Sequence, residues 1–258
     1  MKAVNEGRID ISNRVVSHWE LCLQCRACEA VCPSGVPYGW IMENTRAEVF
    51  KQGKRSAKLT NVSRLFLEGA LPHPQRLRFG AKLLRIYQRW GIQRLVRISR
   101  LLKLLPGHLS LFESKLPAIS KRLFGPSKII IPAVGEKHST IGLLSGCVMP
   151  LVQGATMEAA VRVLTRNGCD VAVPMGQGCC GALNAHSGDL ETARDMARRN
   201  IDVFLASGVE RVVVASAGCS AAMKEYPDLL GNDENYREKA AQLSRLTVDI
   251  TEFLASIP

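Results

Sequence analysis

The sequence predicts a mixed (α+β) chain in three parts: a small all-helical unit over 1–52, a basic helical connector over 53–135, and a three-layer α/β domain over 136–258. Three observations predict this. Cysteines gather in two places, four within 22–32 and five within 147–219. Between those regions, residues 51–130 carry 18 Lys and Arg against only Glu68 and Glu113, a surplus of sixteen positive charges that leaves the rest of the chain mildly acidic. From about residue 139 onward, short β-branched runs alternate with helix-period segments, the pattern of a parallel sheet with crossover helices.

Composition fits a globular protein: 258 residues, 47% hydrophobic and 22% charged, long enough for one or two cores. Nine cysteines form an odd set, clustered rather than spread, which is ligand usage and not disulfide stapling. Reduced thiols of this kind belong in a reducing compartment, so a cytoplasmic location is expected. The N-terminal residues 1–10 are polar and lack the apolar core of a signal peptide. No run of eighteen apolar residues occurs, so no transmembrane helix is expected.

The N-terminal unit is built on Cys22-Leu-Gln-Cys25-Arg-Ala-Cys28-Glu-Ala-Val-Cys32-Pro33, which reads C-x2-C-x2-C-x3-C-P. This is the bacterial ferredoxin-type run for a [4Fe–4S] cluster. Closely spaced thiols let a tight loop wrap one cube, and the x3 gap with its proline turns the last thiol away. A structural zinc site would separate two C-x2-C pairs by a longer loop, which is absent here. Helices are predicted on both sides. The first covers 8–20, capped by Ser12 and packed through Val15, Val16 and Trp19. The second covers 38–51, with Trp40, Ile41, Ala47 and Phe50 inward. Such a unit is half of a two-cluster arrangement, in which Cys32 serves a neighbouring cluster. The second motif would come from a partner chain or from sequence upstream; otherwise Cys32 closes the first cluster itself.

The connector holds helix-period patterns and several breakers, among them Pro72, Pro74, Gly91, Pro106, Pro117 and Pro126. Between 76 and 104, Lys and Arg recur among Leu, Ile, Tyr and Trp, giving a basic amphipathic helix interrupted at Gly91. Two readings stand. The apolar face packs on this protein or a partner subunit, or it lies on an anionic membrane surface, which would place the protein peripherally on the cytoplasmic face of the inner membrane. No nucleic-acid motif accompanies the charge, so no nucleic acid partner is expected.

In the last region, strands are predicted at 140–145, 170–173 and 211–215. Helices are predicted at 154–167 (Ala155, Ala159, Val163 and Leu164 inward, Gly168 ending it) and at 189–206 (Leu190, Ala193, Ala197, Ile201 and Phe204 inward), with a further helix after Cys219 and a helical tail over 234–256. Cys147, Cys179-Cys180 and Cys219 then fall at or near C-terminal strand ends, the edge of an open α/β sheet where ligands bind. That convergence favours a metal or redox site over four separately buried thiols. Cys169 reads as packing, and His186 is close enough in sequence to approach the site or to cap a helix.

The span from Cys147 to Cys179-Cys180-Gly181, C-x31-C-C-G, resembles the cysteine-rich CCG domain of heterodisulfide reductase and related subunits. Joined to the ferredoxin-type run through a helical connector, the whole chain resembles the iron–sulfur subunit of glycolate oxidase. The iron–sulfur subunits of lactate utilisation and of anaerobic glycerol-3-phosphate dehydrogenase share this plan. The resemblance implies a Rossmann-like three-layer fold for 136–258. It also implies a [4Fe–4S] cluster on Cys22, Cys25, Cys28 and Cys32, and a second iron–sulfur or zinc centre on Cys147, Cys179, Cys180 and Cys219. It implies a flavoprotein (FAD) partner that oxidises a 2-hydroxy acid, with no catalytic acid or base in this chain. A metal-binding interaction module without redox turnover and a thiol–disulfide reductase centred on Cys179-Cys180 are the alternatives. Three departures are visible: one ferredoxin-type motif where the family carries two, one CCG domain where it carries two, and Cys219-Ser-Ala-Ala222 where the fuller pattern has C-x2-C. The expectation is a central portion of a longer subunit.

Overall fold

A computed structural model describes residues 1–53, 65–99 and 109–257. Arg100 and Lys103, at the end of the predicted amphipathic helix, lie outside them. In chain order the helices are α1 (Lys2–Asn5), α2 (Asn13–Glu20), α3 (Ala27–Ala30), α4 (Tyr38–Lys51), α5 (Pro74–Arg89), α6 (Ile92–Ser99), α7 (Leu109–Ser114), α8 (Met149–Val152), α9 (Gly154–Arg166), α10 (Ala182–His186), α11 (Leu190–Ala206), α12 (Ala217–Lys224), α13 (Tyr226–Leu229), α14 (Arg237–Leu246) and α15 (Ile250–Ser256). The strands are β1 (Ser139–Leu143), β2 (Cys169–Ala172), β3 (Arg211–Val214) and β4 (Thr247–Asp249). A π-helical turn spans Leu65–Ala70.

All four strands are parallel, in the order β2-β1-β3-β4. Alternation along each strand sorts its side chains between two cores. Ile141, Leu143, Val171 and Val213 meet Met157, Val161 and Leu164 of α9 and Phe253 of α15. Ala172, Val212 and Val214 meet Ala197, Ile201 and Phe204 of α11 together with Met223, Tyr226 and Leu243. Helices therefore cover both faces. The edge strand β2 is protected by the segment 127–131, whose Ile131 bridges Val171 antiparallel, with N–H···O distances of 2.9 and 2.8 Å.

Several expectations are corrected. The first N-terminal helix begins at Asn13, not at residue 8, because Ser12 accepts from the Val15 N–H and so caps it there. In α4 the inner residues are Met42, Ala47 and Val49, while Trp40 is 54% exposed at the rim of a cleft. In α9 the buried stripe is Met157, Ala160, Val161 and Leu164, and Ala155 and Val163 face outward. Small apolar residues occupy both sides of this helix, and the larger Met157 and Leu164 bury more area against the sheet than Ala155 would. The tail is not one helix. β4 interrupts it, and a capping box of Asp249 and Glu252 restarts the chain as α15.

The amphipathic connector does break at Gly91, and only part of it packs inward. Ala81 is buried and Leu77 joins a small core with Leu71, which is fully buried. The α5–α7 corner is held by Glu113, which accepts from Tyr87, Gln93 and Arg97 at 2.9–3.2 Å. Arg97 chiefly, with Gln93, holds the Glu113 carboxyl below the usual carboxylate range.

The helical N-terminal unit docks on the sheet unit by close backbone approach. Gly188 has φ +87°, and a Cβ there would lie 2.4 Å from the Arg46 carbonyl oxygen. Gly188→Ala is expected to destabilise the fold by more than the ~1–2 kcal/mol that a left-handed backbone alone costs. Gly135→Ala, at φ +92° with nothing within 4 Å, should cost only that amount. Urea unfolding of the two variants checks the difference.

Candidate functional site

The strand order reverses direction between β1 and β3, and ligands in open parallel sheets sit outside the C-terminal ends of strands at that point. Cys147 follows β1 by four residues and Cys219 lies in the first turn of α12 after β3. Cys179 and Cys180 arrive on the loop that leaves β2. All four line one cavity of about 330 Å³ whose other walls include Leu144, Met149, Leu183, Val214 and His186. Among the described residues, no Lys or Arg lines it. Cys169 is elsewhere: it is the first residue of β2, buried in the sheet core, with its sulfur 3.4 Å from the Ser139 hydroxyl.

The four thiols neighbour one another in the order Cys147, Cys179, Cys180, Cys219, and each shifts the next. Cys179 is held well below the usual thiol range by the neighbouring thiols of Cys147 and Cys180 and by the backbone N–H groups of Gly181 and Cys180, against the penalty of burial. Cys147 and Cys180 move the other way, pushed up by the Cys179 thiol and by burial. Cys219 is lowered, chiefly by the Cys180 thiol and also by the Ser216 hydroxyl. Among the described residues, no three His, Cys, Asp or Glu side chains close on one point as a cage for a single ion.

Buried polar side chains fix the loop that presents Cys179 and Cys180. Asn200 is fully buried in α11; its Oδ1 accepts from the Gly178 N–H at 2.9 Å and its Nδ2 donates to the Cys179 carbonyl at 2.9 Å. The Tyr226 hydroxyl donates to the Cys180 carbonyl at 2.9 Å. Gln177 accepts from the Ser145 N–H at 2.7 Å and donates to the Leu143 carbonyl at 3.2 Å, tying the loop to the end of β1. Gly181 turns the chain at φ +85° and lies against α11, where a Cβ would be 3.1 Å from the Ala193 carbonyl. Leu71 of the connector packs on Cys179 and Met196, with Leu67, Leu77 and Cys147 around them. The connector thus closes one side of the cysteine row.

The other cysteine set lies on the loop between α2 and α4. Gln24 and Arg26 both adopt positive φ, +54° and +58°, which costs L residues strain and turns backbone N–H groups toward the inside of the loop. The Gln24 N–H points at the Cys22 sulfur, 3.4 Å away. Cys32 is lowered by the nearby backbone N–H groups of Val36, Ser34 and Gly35 in the turn after Pro33. Tyr38 is pushed up by burial and by the neighbouring Cys22 and Cys28. Cys25 and Cys28 are exposed.

The two sets are joined. Arg46 of α4 donates to the carbonyls of Trp19 (2.9 Å) and Cys22 (2.6 Å) at the cysteine loop and to that of His186 (2.7 Å) on the sheet unit. The His186 ring bonds Glu43 at 2.7 Å. Arg26 grips Glu29 through two 3.1 Å bonds and also pairs with Glu225 at the end of α12. A cleft of about 410 Å³ between the units is bordered by Arg26, Trp40, Glu43, Cys180, His186 and Arg194. His186 borders both this cleft and the cysteine cavity, which settles its position beside the site.

The sequence patterns assign no role to Asn200, Gln177, Tyr226 or Arg46, although Asn200 lies in a stretch, Arg199–Asp202, that shares in the family resemblance. For Asn200 a signal exists: a polar residue sits on the otherwise apolar stripe 193, 196, 197, 201, 204 of α11. Asn200→Ala is expected to cost about 2–4 kcal/mol, because it strands a buried N–H and a buried carbonyl. It should also make Cys179 more reactive to thiol reagents. Thermal unfolding and labelling kinetics check both effects.

Two family models match the chain: "Glycolate oxidase iron-sulfur subunit, linker region" over residues 59–116 and "Cysteine-rich domain" over 141–224. The chain is 36% identical over 258 residues to the "Probable glycolate oxidase iron-sulfur subunit" of Bacillus subtilis, an alignment covering 100% of this chain and 58% of that protein. It is 33% identical over 262 residues to the "Glycolate oxidase iron-sulfur subunit" of Escherichia coli, again covering 100% of this chain and 58% of that protein. "Lactate utilization protein A" of Bacillus subtilis is 33% identical over 117 residues, 45% of this chain and 48% of that protein. The chain therefore spans less than two thirds of the length of these relatives. No solved structure matches.

Proposed function

Because the chain belongs to the glycolate oxidase iron–sulfur subunit family, we propose that it is an electron-transfer subunit of a flavin-dependent 2-hydroxy-acid dehydrogenase, glycolate being the favoured substrate of the whole complex. In this reading it receives electrons from a flavoprotein (FAD) partner and delivers them towards a quinone or another acceptor, from the cytoplasmic side. The glycolate assignment follows the relatives that align along the entire chain, whereas the lactate-utilisation relative aligns over 45% of it. Boundaries near residues 52 and 135 divide the proposed cluster unit, connector and cysteine-rich domain.

The observation that carries the reading is the thiol row in its cavity. Four cysteines line one largely apolar pocket with, among the described residues, no Lys or Arg in its walls. Buried thiolate charge is costly without a counter-charge, so the donor set suits a thiophilic, positively charged centre. The loop of Cys22, Cys25, Cys28 and Cys32 suits one too, with the Gln24 N–H already directed at the Cys22 sulfur and backbone N–H groups near Cys32 lowering its thiol. An iron–sulfur cluster, when bound, supplies a one-electron carrier whose potential is set by hydrogen bonds to its sulfurs and by burial. The residues of this chain hold, orient and shield. Gln177, Asn200 and Tyr226 fix the Cys179-Cys180 backbone, Leu71 and Leu67 keep water from one side, and Arg46 with the His186–Glu43 pair clamps the two cysteine sets into one body. Chemistry at the substrate carbon is assigned to the flavoprotein partner.

Iron, zinc and acid-labile sulfide per chain after anaerobic purification test this. Cys25→Ala should lose one centre, with about four irons and four sulfides if that centre is a cube. Cys179→Ala should lose the iron of the other centre, and Cys169→Ala should leave both intact. Zinc without acid-labile sulfide would overturn the electron-transfer reading and support a metal-binding interaction module.

A further inference from the structure

Helix α5 presents two faces of different character. Ala81 is buried, and Leu77, Leu84 and Gln88 on the same side are partly buried against the rest of the protein. Phe79, Leu83, Ile86 and Trp90 recur at spacings of four, three and four, so they share an arc of ~60° on the opposite side of the cylinder. Their exposures are 64%, 53%, 41% and 74%. Across the break at Gly91 the apolar surface continues with Leu95 and Ile98 of α6, 67% and 69% exposed.

The polar flanks of this stripe are basic. Lys82 and Arg89 border it on one side and Arg76 on the other, with exposed Arg94 beyond the break. Among the described residues none of these four has a carboxylate within ion-pair distance, and Glu113, one of only two acids in 51–130, is taken by Arg97. An outward apolar stripe with Trp and Phe, edged by long cationic side chains that can snorkel, is the pattern of a helix lying in a lipid interface. Uncompensated positive charge further selects anionic headgroups. A covering protein surface would have to supply several carboxylates around an apolar strip, whereas an anionic bilayer presents both chemistries continuously.

We propose that the outer face of α5 and α6, centred on Phe79, Leu83, Ile86 and Trp90, docks the protein on an anionic lipid bilayer. The inference goes beyond the electron-transfer reading and does not require a cluster: a chain without iron would still bind.

The test is co-sedimentation of the full chain with vesicles of mixed phosphatidylcholine and phosphatidylglycerol, with pure phosphatidylcholine alongside. The protein should sediment with the anionic vesicles, only weakly with the neutral ones, and less as salt is raised. Lys82→Gln with Arg89→Gln should weaken anionic binding about 30-fold, from ~1 kcal/mol per charge, and Phe79→Ser with Trp90→Ser should abolish it. All four positions are exposed, so circular dichroism and the thermal midpoint should not change. Equal binding to neutral and anionic vesicles, binding unchanged in these variants, or no binding at all would overturn the proposal. So would a lowered thermal midpoint in Phe79→Ser/Trp90→Ser without vesicle binding, because the face would then be packed against protein.

Discussion

A sheet whose strands all run the same way delivers every following loop to one edge, and the site depends on this constraint. Cys147, Cys179-Cys180 and Cys219 come from three separate strand exits, yet they line a single cavity. The central strands β1 and β3 supply the outer members, and β2 supplies the pair between them. An antiparallel arrangement would send alternate exits to opposite ends and separate these thiols. The buried hydrogen bonds of Asn200, Gln177 and Tyr226 then determine where the middle pair stands. Backbone groups on this loop are out of reach of water, and these side chains satisfy them.

The second level of organisation is the joint between the two cysteine regions. Arg46 reaches carbonyls on both sides of it, and its planar fork suits several acceptors at once in a way that a lysine would not. Gly188 lets the backbones meet where a side chain would collide, and the Arg26–Glu225 and His186–Glu43 pairs flank the contact. Residues more than a hundred positions apart are thereby held in one body.

Much of this was legible in the sequence, for identifiable reasons. β1 and β3 carry apolar runs followed by Gly146-Cys147 and Gly218-Cys219, and α11 carries an unambiguous helical rhythm. β4 was hidden because it is three residues long and lies between two helices; only the Asp249-x-x-Glu252 restart signals it. The inward face of α9 was ambiguous because alanine and valine occupy both sides, and packing against the sheet decided between them. Trp40 is apolar but borders a cleft, and periodicity alone does not separate a rim from a core. Arg46, Gln177 and Tyr226 act through contacts tens to more than a hundred residues away, which no local pattern encodes.

We propose that the two cysteine sets carry two redox centres close enough to interact, and electron paramagnetic resonance of the anaerobic, dithionite-reduced protein distinguishes this from a single centre. Two paramagnetic signals that broaden each other are expected, with a sharpened single signal when Cys179→Ala removes one of them. A lone signal with the same line shape in the wild type and in Cys179→Ala, or no reducible signal in a protein that binds metal, would rule it out.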